Sequence, residues 1–317
     1  MKIITPFLIA ILLLSLSGCQ QALGSGDLKN VGLLIEDTIN DQGWGTKGYK
    51  GLLQVKNEFN NKVFYREEVK SKEQVLEAVR EFQKDNVNLV FGHGKLYAPL
   101  FMDIKSEFPD MHFVSFNGKV SGKGITSVHF DSYAMGYFAG VVSGAMTKSG
   151  QVGMIAAFPW QPEATGFREG ANVYNPDVET NISFVQDWSD TDKAIEIFND
   201  MDEKGVDVYY PAGDGYTVPV IEKVKEKGAY AIGFISNMSD LGEQTVLTST
   251  VQHVDKLYVK IAQKHNDGKL STGNIHYDFQ EGVISLAPFS SAVPEDIQQQ
   301  ISSLVDEYKE TGKLPSP

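Results

Sequence analysis

The stretch Asn86-Val87-Asn88-Leu89-Val90-Phe91-Gly92-His93-Gly94 returns in pattern about 120 residues later as Gly205-Val206-Asp207-Val208-Tyr209-Tyr210-Pro211-Ala212-Gly213. Each is a short, continuously apolar run closed by small residues, which is how a strand buried on both faces of a parallel sheet reads. The neighbourhood repeats as well. Val31–Ile35, Val63–Tyr65, Val87–Phe91 and His112–Phe116 read as strands, separated by helical stretches at Thr46–Phe59, Lys72–Lys84 and Tyr97–Phe108. In the second half Val152–Ala157, Ile182–Val185, Val206–Tyr210 and Ala231–Phe234 alternate with helices at Glu163–Val173, Thr191–Lys204 and Val218–Lys227. Strand–helix alternation of this kind builds βαβ units, and its recurrence predicts two similar doubly wound lobes. A helix at Asp255–Asn266 and strands at Val246–Ser249 and Phe279–Leu286 complete both sheets if the chain crosses between lobes several times.

Composition narrows the function. The 317 residues, 42% hydrophobic and 22% charged, are enough for two packed domains. A net charge of −13 opposes nucleic-acid binding, which needs clustered Lys and Arg to neutralise phosphates. One Cys excludes an intrachain disulfide and a cysteine zinc site, and the six His show no HExxH spacing. Neither GxSxG nor GxGxxG is present, and Asp187, Asp190 and Asp192 fall at a helix start where capping accounts for them. The expectation is a binding protein, with no cofactor, no metal and no catalytic residues.

The N-terminus sets the compartment. Lys2, the apolar run Pro6–Leu16 and the small residues Ser17-Gly18 before Cys19 describe an export signal at 1–18, too short to span a bilayer. Leu16-Ser17-Gly18-Cys19 also resembles the lipobox of bacterial lipoproteins, which implies an acylated Cys19 anchored in the membrane, with the body on the extracytoplasmic face. Residues 19–29 then form a tether. The first lobe is expected at 30–120 and 240–275, the second at 121–239 and 276–317.

Ligands of parallel α/β sheets bind beyond the carboxyl ends of the strands. That rule selects Asp41 and Trp44 after the first strand of lobe one, and Trp160 after its counterpart in lobe two. It also selects His93 and the pair Asp214 and Tyr216 after the two third strands. Trp44 and Trp160, at equivalent positions, are expected to face a common cleft and stack on a flat ligand.

Asp41-Gln42-Gly43-Trp44, Gly136-Tyr137-Phe138-Ala139-Gly140, Gly150-Gln151-Val152-Gly153, Gly166-Phe167-Arg168-Glu169-Gly170 and Val246-Leu247-Thr248-Ser249 resemble the basic membrane protein family. These are bacterial surface lipoproteins similar to the purine nucleoside receptors of ABC importers. The resemblance implies a type I periplasmic-binding-protein fold with a three-crossing hinge, and a permease or membrane signalling protein as partner. It implies Asp41 and Trp44 as base-binding residues and places Asp131 before the Gly136–Gly140 helix in the site. The family's second base-closing aromatic aligns with Glu163, near Trp160. Its ribose carboxylates align with Ile235 and Asn237, and its ribose lysine with Gln252, so nucleosides are expected to bind weakly. Asp37–Asp41, Trp44–Gly51, Tyr210–Tyr216 and Ser239–Glu243 are closer still to a branch of lipid-anchored positive regulators of competence, acting indirectly on transcription.

Overall fold

The computed structural model describes residues 28–40 and 43–315. The expected signal segment, most of the tether, Cys19 and Asp41 lie outside the described residues. Among the described residues no helix is long and apolar enough to cross a membrane.

Two six-stranded sheets form the molecule. The first is built from β1 (Asn30–Leu34), β2 (Val63–Arg66), β3 (Val87–Gly92), β4 (His112–Phe116), β5 (Ile125–Phe130) and β11 (Gly273–Tyr277). Its order is β2-β1-β3-β4-β5-β11, parallel throughout. The second is built from β6 (Gln151–Ala156), β7 (Glu179–Phe184), β8 (Val208–Ala212), β9 (Tyr230–Gly233), β10 (Val246–Gln252) and β12 (Ile284–Leu286). It repeats the order as β7-β6-β8-β9-β10-β12, with β12 antiparallel to β10. The central strands β3 and β8 are buried at every position, as their continuous apolar sequence requires.

Helices α1 (Trp44–Phe59), α2 (Lys72–Lys84) and α3 (Tyr97–Ile104) belong to the first lobe. α4 (Ser132–Met146), α5 (Pro162–Tyr174), α6 (Thr191–Glu203) and α7 (Thr217–Lys227) belong to the second. α8 (Val254–Asn266) returns to pack on α1, and α9 (Glu295–Thr311) packs on α4.

Two of the three crossings fall later in the chain than expected, by slightly more than the ten residues allowed for each boundary. β5 joins the first sheet, so the chain leaves lobe one at Asp131 rather than near 120. β10 joins the second sheet, so it returns at His253 rather than near 240. The third crossing, residues 278–283, follows β11. Pairing with a distant strand decides each of these boundaries, and local composition does not reveal it. Backbone bonds tie the three crossings together: the Asp131 N–H donates to the Tyr277 carbonyl at 2.8 Å, and the His253 N–H to the Val283 carbonyl at 2.8 Å.

The alternation of strands and helices also passed over β5 and α4, although the family resemblance placed a helix at Gly136–Gly140. Twelve of the fifteen residues of α4 are buried, so it carries no polar face to give a helical period. It is sandwiched by α5, and the two backbones touch. A Cβ at Gly140 would collide with the carbonyl of Phe167, and one at Gly170 with the carbonyl of Tyr137. Because neither obstacle is a side chain that can turn away, Gly140→Ala and Gly170→Ala should each lower unfolding free energy by about 2–3 kcal/mol in urea titrations. An unchanged midpoint would show that the two helices can separate at no cost.

Candidate functional site

The strand order switches sides between β1 and β3 in one sheet and between β6 and β8 in the other, so the loops at the carboxyl ends of those parallel strands frame the crevice. On the first lobe the frame is aromatic. α1 begins at Trp44 itself, two residues earlier than the sequence suggested, capped only by Gly43. The Trp44 ring lies flat on the His93 imidazole, centroids 4.2 Å apart at 14°, and meets Phe116 and Phe130 edge-on. Gly48 permits this closeness, since a Cβ there would sit 2.6 Å from the His93 ring.

His93 is fully engaged beneath that ring. Its Nε2 is 2.7 Å from the Trp44 carbonyl, which can only accept, so Nε2 carries the proton. Nδ1 then accepts from the Tyr258 hydroxyl at 2.9 Å, and the His93 carbonyl accepts from the Trp44 indole at 3.3 Å. At 2% exposure His93 lies beneath Trp44 and positions it, whereas the sequence reading places it on the ligand-facing surface. Tyr216 is corrected likewise. It is fully buried in the second lobe, its hydroxyl donating to the carbonyls of Ile155 and Ala212. An aromatic after a glycine turn reads the same whether it lines a cleft or plugs the core below it.

On the second lobe Trp160 is 62% exposed and stacks on Phe158, 5.3 Å apart at 14°, with Trp188 edge-on at 5.9 Å. Trp44 and Trp160 therefore each pack against their own lobe. Buried Gln161 staples the Phe158 loop, accepting from the Phe158 N–H at 2.9 Å and donating to the Ala212 carbonyl at 3.2 Å. Exposed Asp214 turns beside this cluster, its N–H donating to the Trp188 carbonyl at 3.0 Å. Asp131 is exposed at the first crossing, at the start of α4.

Two charged residues that the sequence reading did not assign to the cleft's chemistry complete the frame. Lys47, in the first turns of α1, reaches across the crevice and donates from Nζ to the carbonyl of Ile235 at 2.7 Å. Burial pulls its pKa down to about 8, against the carboxylates of Asp214 and Asp255, which hold it up. Ile235 has φ 53°, a left-handed conformation that a β-branched residue rarely adopts, and its carbonyl also accepts from the Gln252 N–H at 3.1 Å. A lysine near a helix N-terminus, where the macrodipole disfavours cations, was the available signal. Glu163, in the first turn of α5, is 5% exposed, and burial raises its carboxyl to about 7.

This geometry sits in a chain whose residues 28–317 match the family described as ABC transporter substrate-binding protein, PnrA-like. The chain belongs to the Bmp family. It is similar to the transcriptional activator protein Med of Bacillus subtilis, at 48% identity over 303 residues, covering 96% of each chain. A crystal structure described as a transcriptional activator of the comK gene from Bacillus halodurans superposes with TM-score 0.86 at 48% identity, over 90% of this chain and 99% of that one. A purine-binding protein of Brucella abortus shares 25% identity over 225 residues, 70% of this chain and 63% of that protein. The two-lobed, three-crossing architecture is the type I periplasmic-binding-protein fold, which this Bmp member shares with far more distant solute-binding proteins.

Two outcomes follow for this site. Lys47→Ala removes the cross-lobe bond and should open the cleft, read as an increased radius of gyration in X-ray scattering; identical curves would show that the lobes are held by other contacts. The pH profile carries two opposed contributions. Glu163, raised above its unfolded value of 4.5, stabilises the fold below that pH and loses this as pH rises through about 7. His112, lowered by burial to about 4, stabilises above its unfolded value of 6.5 and loses this as pH falls through about 4. Glu163→Gln should therefore unmask a fall in stability toward acid, and His112→Gln a fall toward neutral pH, each by about 2–3 kcal/mol in denaturant titrations at pH 4.5 and 7.

Proposed function

We propose that this chain is a lipid-anchored, extracytoplasmic solute-binding protein that acts as a positive regulator of competence, influencing transcription indirectly from the membrane. The observation that carries the reading is the 48% identity to Med across nearly the whole of both chains. The cleft supports it, because a two-lobed receptor reports a small ligand through hinge closure, a population shift that a membrane signalling protein can read. The acidic net charge and the export signal ending at Cys19 oppose direct contact with DNA. No catalytic step is assigned: His93 fixes the Trp44 ring and Lys47 bridges the lobes.

A second reading, a nucleoside receptor for an ABC importer, is favoured by the similarity to a purine-binding protein. Trp44, laid flat on His93, is the platform a base would use. Opposing it, Ile235 and Gln252 stand where the family resemblance places a ribose carboxylate and lysine. Calorimetry with adenosine, guanosine and inosine separates the two readings: weak or absent binding is expected, and submicromolar affinity would establish the receptor.

The regulatory reading is tested by expressing the chain in Bacillus subtilis lacking Med and following a competence reporter. Restored output is expected. Cys19→Ala should release the body from the membrane fraction and reduce output. Trp160→Ala should reduce output while unfolding stability stays within about 1 kcal/mol, since the ring is largely exposed. Full output from both variants would defeat the proposal.

A further inference from the structure

Glu163 is placed for a task that packing does not explain. It follows Pro162 at the start of α5, in the wall of the second lobe, and its Oε2 is buried without a hydrogen-bond partner. The carboxyl is served by the Ser132 hydroxyl and its own N–H. The charged and titratable groups facing it are Asp131 at the first crossing and Tyr210 of β8. Neither is a cation, and the ion pairs found among the described residues do not include Glu163. A buried carboxyl with an open acceptor beside a second carboxylate is a site for a donor that carries positive charge.

The other end of the same wall shows what the seam accepts. Lys47 brings an ammonium from the first lobe to the Ile235 carbonyl, with Asp214 and Asp255 nearby. Gln252 links the two ends. Its N–H shares the Ile235 carbonyl with Lys47, and its side-chain amide rests on the sulfur of Met135 at 3.4 Å, a weak acceptor in the first turn of α4 beside Ser132. Asp131 and Glu163 thus stand at one end and Asp214 and Asp255 at the other, where an amine of the protein itself makes the bridge.

We infer that Glu163, assisted by Asp131, is the recognition carboxyl of the cleft, and that the ligand is a small organic cation bearing a protonated nitrogen, an amine, amidinium or heterocyclic N–H⁺. This rests on the cleft reading above and supplies its ligand class. Binding pairs the cationic N–H with Oε2 as carboxylate. The proton Glu163 held in the free protein leaves to solvent, so charge balances with up to one proton released per ligand. Lys47 leaves the seam as the ligand enters, exchanging one ammonium for another.

The test is calorimetry on the full-length protein at pH 6.0 and 7.5, each in two buffers of different ionisation enthalpy. The probes are agmatine, spermidine and ethanolamine as cations, adenosine and inosine as neutral compounds, and succinate and glucose 6-phosphate as anions. A cationic probe binding at least about tenfold tighter than any neutral or anionic one is expected, with proton release larger at pH 6.0. Glu163→Gln should weaken it about tenfold and abolish the release. Asp131→Asn, at an exposed position, should weaken it while proton release persists, somewhat reduced because Asp131 helps to hold the proton on Glu163. Neutral or anionic binding that Glu163→Gln leaves untouched would overturn the cation assignment while leaving the cleft reading standing. Silence from all three classes would overturn both.

Discussion

The contact between α4 and α5 fixes more of this molecule than any other. Two helices whose backbones touch through glycine cannot slide or roll, because every displacement drives a carbonyl into the opposing chain. α4 starts at the first crossing, and α5 starts at the loop that bears Trp160. Locking the pair therefore sets the distance between the hinge and the second-lobe wall, and it buries Glu163 between two helix starts. The hydrogen-bonded crossings at Asp131, His253 and 278–283 can then bend as one strap against a rigid lobe.

The first lobe is stiffened differently. Tyr258, His93 and Trp44 form a column, with the Tyr258 hydroxyl donating to His93 Nδ1, those two rings edge-on and the Trp44 ring flat on His93, running from α8 through the end of β3 to the start of α1. The lysine that crosses the crevice leaves α1 one turn beyond this column. One lobe thus presents a fixed aromatic and a cation flanked by Asp255, and the other presents Asp131 and Glu163 on a fixed pair of helices.

Much of the architecture is legible in the sequence because doubly buried strands are short apolar runs and their helices have one polar face. The two lobes and the loops that frame the crevice follow from that period. α4 is illegible by the same rule, being apolar on every side. The crossings are illegible because strand pairing across more than a hundred residues decides them, as β11 beside β5 shows. In the site, Trp44 and Trp160 stand out by rarity and position. His93 and Tyr216 share those positions, yet the fold sinks them below the surface. Lys47 and Glu163 escape because a single charged residue in a helical turn has no pattern; only the opposing lobe, or the neighbouring helix, gives it meaning.

The bridge from Lys47 to Ile235 has a consequence for concentration sensing. A tethered ammonium competes for the seam at the effective concentration of an intramolecular group, in the millimolar range for short tethers. A ligand entering the same seam meets that competitor first, and its apparent affinity is reduced by the fraction of molecules already bridged. A receptor so built ignores traces and responds to abundance.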